Sequence, residues 1–129
     1  MEPTYPAPDE NPETARFWRA AREGKLLCGH CRTCGDSHFY PRTLCPHCFS
    51  ADTDWRPASG EGTIYSYSVM RRAEPPYAIA YVTLAEGATM MTNIVDCDFD
   101  TLRIGQKVRL SFKSTTEDGA PLPMFTPAT

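Results

Sequence analysis

Residues 25–50, KLLCGHCRTCGDSHFYPRTLCPHCFS, hold five of the chain's six cysteines. A tetrahedral metal site takes four thiolates, each about 2.3 Å from the ion, so one of Cys28, Cys31, Cys34, Cys45 and Cys48 is surplus. The second pair is fixed by CPHC, which gives Cys45 and Cys48, with Pro46 stiffening the turn. The first pair is either Cys28 with Cys31 or Cys31 with Cys34. A metal knuckle turns back sharply after its second ligand, and glycine tolerates the positive φ that such a turn needs. Gly35 follows Cys34, whereas Arg32 follows Cys31. That difference selects Cys31, Cys34, Cys45 and Cys48. Ten residues lie between the knuckles, enough for the tight hairpin of a zinc ribbon. Cys28 then falls in the strand entering the first knuckle, as a small buried hydrophobe. His30 and His47 sit beside and between ligands and are expected outside the ligand set.

Four thiolates on zinc leave no open position for water, so the cluster reads as structural rather than catalytic. Iron in a rubredoxin-like site is the rival metal, because it accepts the same donors in the same geometry. The segment carries few apolar side chains beyond Leu26, Leu27, Phe39, Tyr40 and Leu44. Its fold is therefore expected to depend on the metal.

Around this segment the composition is that of a globular protein: 41% hydrophobic and 22% charged residues, enough apolar surface for a core. Twelve prolines and eight glycines in 129 residues favour short strands and turns over a helix bundle. The formal net charge of -3 argues against general binding of a phosphate backbone, which draws on clustered Lys and Arg. No apolar run approaches the roughly 18 residues of a membrane span, and no signal-peptide pattern opens the sequence. Paired CxxC thiols without a disulfide pattern lead to the expectation of a reduced, cytoplasmic protein.

Upstream, residues 1–10 (MEPTYPAPDE) read as an extended arm. NPETARFWRAAREGK then reads as a short helix, with Asn11 as cap, Pro12 at the first helical position and Gly24 as terminator. Phe17, Trp18 and Ala21 form its apolar patch. Phe17 and Trp18 either dock on the chain's own core or bind a partner, since so short a helix is marginal alone. Downstream the texture is β. GEGTIYSYSVMRR, then YAIAYVTLAEGATMMTNIVD with a turn at 86–88, then LRIGQKVRLSFK and LPMFTP give four or five strands. With no room for crossover helices, these strands imply a small antiparallel barrel of the oligonucleotide/oligosaccharide-binding (OB) type. The fold class is thus mostly β, in three parts: arm and helix over 1–24, ribbon over 25–58, and barrel over 59–129.

The sequence offers no catalytic set. Ser66, Ser68 and Ser111 lack a GxSxG elbow and a histidine nearby, and neither a P-loop nor GxGxxG occurs. His38 is expected at the surface or in a hydrogen bond. Glu61 and Glu86 read as solvated turn residues. Asp96, Asp98 and Asp100 resemble half a calcium loop without its glycine and terminal glutamate. Cys97 has no activating partner and reads as inert.

The helix with FW, the CxxCG…YPRxLCPHC ribbon, GEGTIYSYSV, PYAIAYVTLAEG, NIVDCD, LRIGQKV and LPMF occur in this order between about residue 11 and residue 127. The chain resembles the zinc-ribbon/OB-fold acyl-CoA-associated proteins, a family long catalogued as a domain of unknown function. The resemblance implies a rubredoxin-like ribbon followed by an OB barrel, with metal ligands at Cys31, Cys34, Cys45 and Cys48. It also implies a non-catalytic subunit in a heterotetramer or other hetero-oligomer with a thiolase-like enzyme. Such partners include the lipid-transfer-type aldolases that shorten steroid side chains. The small subunit would stabilise its partner and help form the acyl-CoA channel. Cys28 replaces the usual apolar residue, and Phe49 stands where a glycine often follows the second knuckle.

A competing function is a single-stranded nucleic-acid module stacking bases on Tyr65, Tyr67, Tyr77, Tyr81 and Phe112. Against it stand the acidic balance and the expectation that aromatics alternating in a small barrel belong to its core. A third is direct acyl-CoA binding, with Arg71, Arg72 and Lys107 meeting phosphates; a solvated charged surface explains the same residues.

Overall fold

The structure, a computed structural model, describes residues 4–40 and 42–128. A helix, α1 (Ala15–Arg22), leads into a three-stranded sheet of β1 (Leu27–Cys31), β2 (Ser37–His38) and β3 (Thr53–Pro57), ordered β2-β1-β3. Five further strands follow: β4 (Glu61–Met70), β5 (Tyr77–Leu84), β6 (Thr89–Ile94), β7 (Lys107–Lys113) and β8 (Leu122–Pro127). They close a barrel in the order β4-β5-β6-β8-β7. β4 pairs with β7 to complete the ring, and β6 meets β8 in parallel at Ile94 and Phe125. This is the five-stranded Greek-key barrel of the OB fold, with a 3₁₀ turn at Phe99–Thr101 between β6 and β7. Among the described residues no helix is long and apolar enough to cross a membrane.

α1 starts later than the sequence suggests. Asn11 does cap, but it caps a turn that precedes the helix: Thr14 N–H donates to Asn11 Oδ1 at 3.0 Å, and Thr14 itself is the helical N-cap. The end is as expected. Gly24 takes φ +79, Lys25 N–H reaches Ala20 O and Gly24 N–H reaches Ala21 O, the paired bonds of a Schellman stop.

One continuous core joins the parts. Leu26, Leu27 and Cys28 from β1 and its approach pack with Phe17 and Trp18 of α1 and with Ile64, Val82, Leu84, Ile94, Val108 and Phe125 of the barrel. Gly62 marks how narrow the barrel is, since a Cβ there would lie 2.5 Å from Val82 Cγ1. Inward positions are accordingly small or branched: Ala78, Ala80 and Val82 on β5.

The tyrosines correct the sequence reading. Tyr65, Tyr77 and Tyr81 are exposed on the outside of the barrel instead of filling it. Strict alternation would place Tyr65, Tyr67 and Val69 on one face. A bulge between Ile64 and Ser66 skips Tyr65, so Ile64, Tyr67 and Val69 share the inner side, opposite Val82, Ala80 and Ala78. Tyr67 closes the barrel end by donating its hydroxyl to Leu102 O at 2.8 Å.

Candidate metal centre

Cys31 ends β1, Cys34 lies in the turn after it, and Cys45 and Cys48 occupy a second turn between β2 and β3. The two turns are built alike. In the first, Cys31 N–H donates to Asp36 O and Gly35 N–H to Cys31 O; in the second, Cys45 N–H donates to Ser50 O and Phe49 N–H to Cys45 O. Each bends back through a residue of positive φ, Gly35 at +81 and Phe49 at +64. Phe49 thus takes the glycine conformation with a side chain 77% exposed. That arrangement is sterically costly for an L-residue.

The four sulfurs converge. Their Sγ atoms all lie within 4.8 Å of one another, Cys31 and Cys48 at 3.6 Å and Cys34 and Cys45 at 3.8 Å. A regular tetrahedron of sulfurs about 2.3 Å from a central ion has edges of about 3.8 Å. The donor set therefore fits one zinc or iron ion. Cys31 and Cys45 are buried; Cys34 and Cys48 are exposed. Backbone amides point inward, Cys34 N–H at 3.5 Å from Cys31 Sγ and His47 N–H at 3.4 Å from Cys45 Sγ, and N–H dipoles so placed favour thiolates. The Cys34 amide, opposed by desolvation and helped by the amide of Thr33, brings the Cys31 thiol down to about 6. At Cys34 the Asp36 amide pulls down, but burial and the thiols of Cys31 and Cys45 push it up to about 12. Four close thiols without a cation cannot all ionise. A divalent ion removes that conflict and takes four thiolates at once.

Cys28 lies outside the cluster. It is buried in β1 within the shared core, and desolvation, with the charge of Glu86, raises its thiol to about 11. His47 is exposed, and His30 Nδ1 lies 3.3 Å from Asp54 Oδ1. Neither histidine joins the four sulfurs.

His38 was expected at the surface or hydrogen-bonded, and it is neither. Its ring is 4% exposed and both nitrogens lack a protein partner. The ring lies over Gly29, its neighbour across β1 and β2: a Cβ on Gly29 would come within 2.1 Å of His38 Nε2. Gly29 sits between Cys28 and His30 with no turn to explain it. A glycine inside a strand signals close approach of another group. Desolvation, then the charges of His47, Arg42 and His30, lower the pKa of His38 and favour its neutral form.

Phe17 and Trp18 take the docking alternative. They are 1% and 7% exposed, and Phe17 packs edge-to-face on Trp18 (4.8 Å), Tyr40 (4.9 Å) and Phe39 (5.7 Å). The expected partner contact is not open to these two side chains, because they fasten the helix to the ribbon hairpin. Asp96, Asp98 and Asp100 do not converge. Asp96 pairs with Lys113, Asp100 with Arg71 at 2.8 Å, and Asp98 Oδ1 accepts from Asp100 N–H to cap the 3₁₀ turn. Cys97 is half-buried, with its thiol raised by desolvation and by the charges of Asp98 and Asp96. Lys107 and Arg109 stand exposed on β7.

Residues 18–54 match the family model for the ChsH2 rubredoxin-like zinc ribbon domain, and residues 55–113 match that for the ChsH2 C-terminal OB-fold domain. A DUF35 domain-containing scaffold protein of Methanothermobacter thermautotrophicus is 37% identical over 115 residues, 83% of this chain and 86% of that protein. The chain belongs to the ChsH2/DUF35 family. Another relative, a probable enoyl-CoA hydratase alpha subunit of Thermomonospora curvata, is 35% identical over 128 residues; the chain spans only 40% of its length. The benzoylsuccinyl-CoA thiolase subunit BbsA of Geobacter metallireducens is 27% identical over 99 residues, 74% of this chain and 66% of that one. Among solved structures, a chain of the Ltp2-ChsH2(DUF35) aldolase superposes with TM-score 0.80 at 35% identity, over 95% of this chain and 99% of that chain. The DUF35 fold is therefore matched over nearly the whole chain.

Proposed function

We propose that this chain is a non-catalytic subunit of a thiolase-like enzyme acting on acyl-CoA substrates, an aldolase or thiolase. In this role it stabilises the partner and helps form its acyl-CoA channel. The observation that carries this reading is the end-to-end likeness, at 35% identity, to a chain of the Ltp2-ChsH2(DUF35) aldolase. A scaffold protein and a thiolase subunit among the relatives support the same role. Shortening of a steroid side chain is the finer reaction we assign to the complex.

Cys31, Cys34, Cys45 and Cys48 hold one structural zinc ion. With four sulfurs the ion has no position for water or substrate, so what it supplies is cross-linking of the two knuckles. This requires reduced thiols and suits the cytoplasm. Co-expression with the thiolase-fold subunit of the same genome tests the assignment. The expected result is a soluble hetero-oligomer whose acyl-CoA turnover needs both chains. A chain that stays monomeric and leaves the enzyme's solubility and turnover unchanged overturns it.

A further inference from the structure

The outside of the barrel is electrically divided. None of residues 63–70, 77–84 and 89–94, which make up nearly all of β4, β5 and β6, is charged. The neighbouring strand β7 instead shows Lys107 and Arg109. On the uncharged side Tyr81 pairs with Met91 on β6 and with Ser66 on β4, Tyr77 pairs with Met70, and Tyr65 stands out at the bulge. Met91 is 62% exposed, and the rings of Tyr65, Tyr77 and Tyr81 are also open to solvent.

Some of the polar groups among them are already engaged. Thr83 and Thr89 hydroxyls bond each other at 3.1 Å, and Asn93 Nδ2 donates to Ala78 O at 3.1 Å. What remains is rings, thioethers and methyls, with the small hydroxyls of Thr63, Ser66 and Ser68 and the tyrosine hydroxyls between them. Exposed Tyr and Met without Lys or Glu is the composition of a protein interface core. Within these three strands a nucleic-acid strand finds no cation for its phosphates; Arg71 and Arg72 stand beyond the end of β4, Arg71 paired with Asp100.

We propose that this face of β4, β5 and β6, centred on Tyr81 and Met91, is the seat of the thiolase-like partner; the proposal rests on the function assigned above. Size selects this occupant over a second copy. Three strands about 4.8 Å apart and about 3.3 Å per residue give roughly 300 Å², well short of the roughly 800 Å² each side of a stable pair buries. A symmetric stack of two such faces is too small. A larger partner gains more, because the apolar surface continues past Met91 into a groove of about 230 Å³ between barrel and ribbon, whose accessible lining includes Tyr40, Leu122 and Pro123.

The test uses the full chain, the thiolase-fold subunit of its own genome, and titration calorimetry with light scattering. Tyr81→Asp and Met91→Asp place charge on exposed positions, and their melting and metal content should match the wild type. Together they are expected to weaken the complex by about 100-fold or more, while Lys107→Glu with Arg109→Glu changes affinity less than about threefold. Equal affinity of the wild type and the Tyr81→Asp/Met91→Asp chain overturns the seat but leaves the assigned function standing. Failure of the wild type to bind that subunit overturns both. A wild-type homodimer that Tyr81→Asp dissociates, or an oligonucleotide bound through Tyr81, also overturns the seat.

Discussion

The ribbon and the barrel are both small β structures, yet they close their interiors in opposite ways. Between residues 31 and 57 the buried side chains, among the described residues, are Cys31, His38 and Cys45. The barrel buries Ile64, Val82, Leu84, Met90, Ile94, Val108 and Phe125. Apart from Leu26, Leu27 and Cys28, which join the shared core, one interior is thiol and imidazole and the other hydrocarbon. The barrel closes through apolar burial. The ribbon has too little of it, and its four converging sulfurs offer one ion the means to tie two turns of matching backbone hydrogen bonds. The contrast implies that damage to the ribbon is chemical and abrupt, whereas damage to the barrel is graded.

The largest expected effect removes a ligand. Cys31→Ser should abolish stoichiometric metal in elemental analysis and unfold the ribbon, because structural zinc contributes on the order of 10 kcal/mol in small modules. Cys28→Ser should retain the metal; metal loss in Cys28→Ser but not in Cys34→Ser would show that the ligand register is wrong. Next, Gly29→Ala forces a methyl into the His38 ring and should cost about 1–3 kcal/mol in denaturant unfolding. A double variant with His38→Ala should show strong non-additivity.

A milder effect is acid sensitivity. The pKa of His38 is lowered in the folded chain, so the unfolded chain binds the proton more readily. Its contribution is complete above the unfolded value of about 6.5 and is lost as pH falls below it. Melting temperature from pH 7.5 to 5.5 should fall more steeply in the wild type than in His38→Phe; parallel slopes would remove the histidine from the account. The smallest effect is a gain. Phe49→Gly should stabilise the ribbon by about 0.5–1 kcal/mol, because glycine takes φ +64 without the strain of a side chain.

Gly35 and CPHC together pointed to the four cysteines whose sulfurs converge, and the strand runs were legible from their β-branched and aromatic content. The family followed from the order of motifs. What the sequence hid depends on tertiary placement. One bulge changes the parity of β4, leaving Tyr65 outside and turning Tyr67 toward Ala80, and no local signal announces it. Phe17 and Trp18 read equally as partner contacts until Tyr40 and Phe39 come round the hairpin to cover them. His38 was missed although Gly29, a strand glycine without a turn, was its trace. The strain at Phe49 was half visible, as an aromatic where the first knuckle has glycine.

The direct test of a metal-built ribbon beside a self-sufficient barrel is hydrogen exchange read by mass spectrometry before and after chelation of the ion. The account predicts that chelation strips protection from residues 27–57 while the amides of β4, β5, β6, β7 and β8 keep theirs. A ribbon that stays protected after the ion has left, or a barrel that melts with it, would contradict the account.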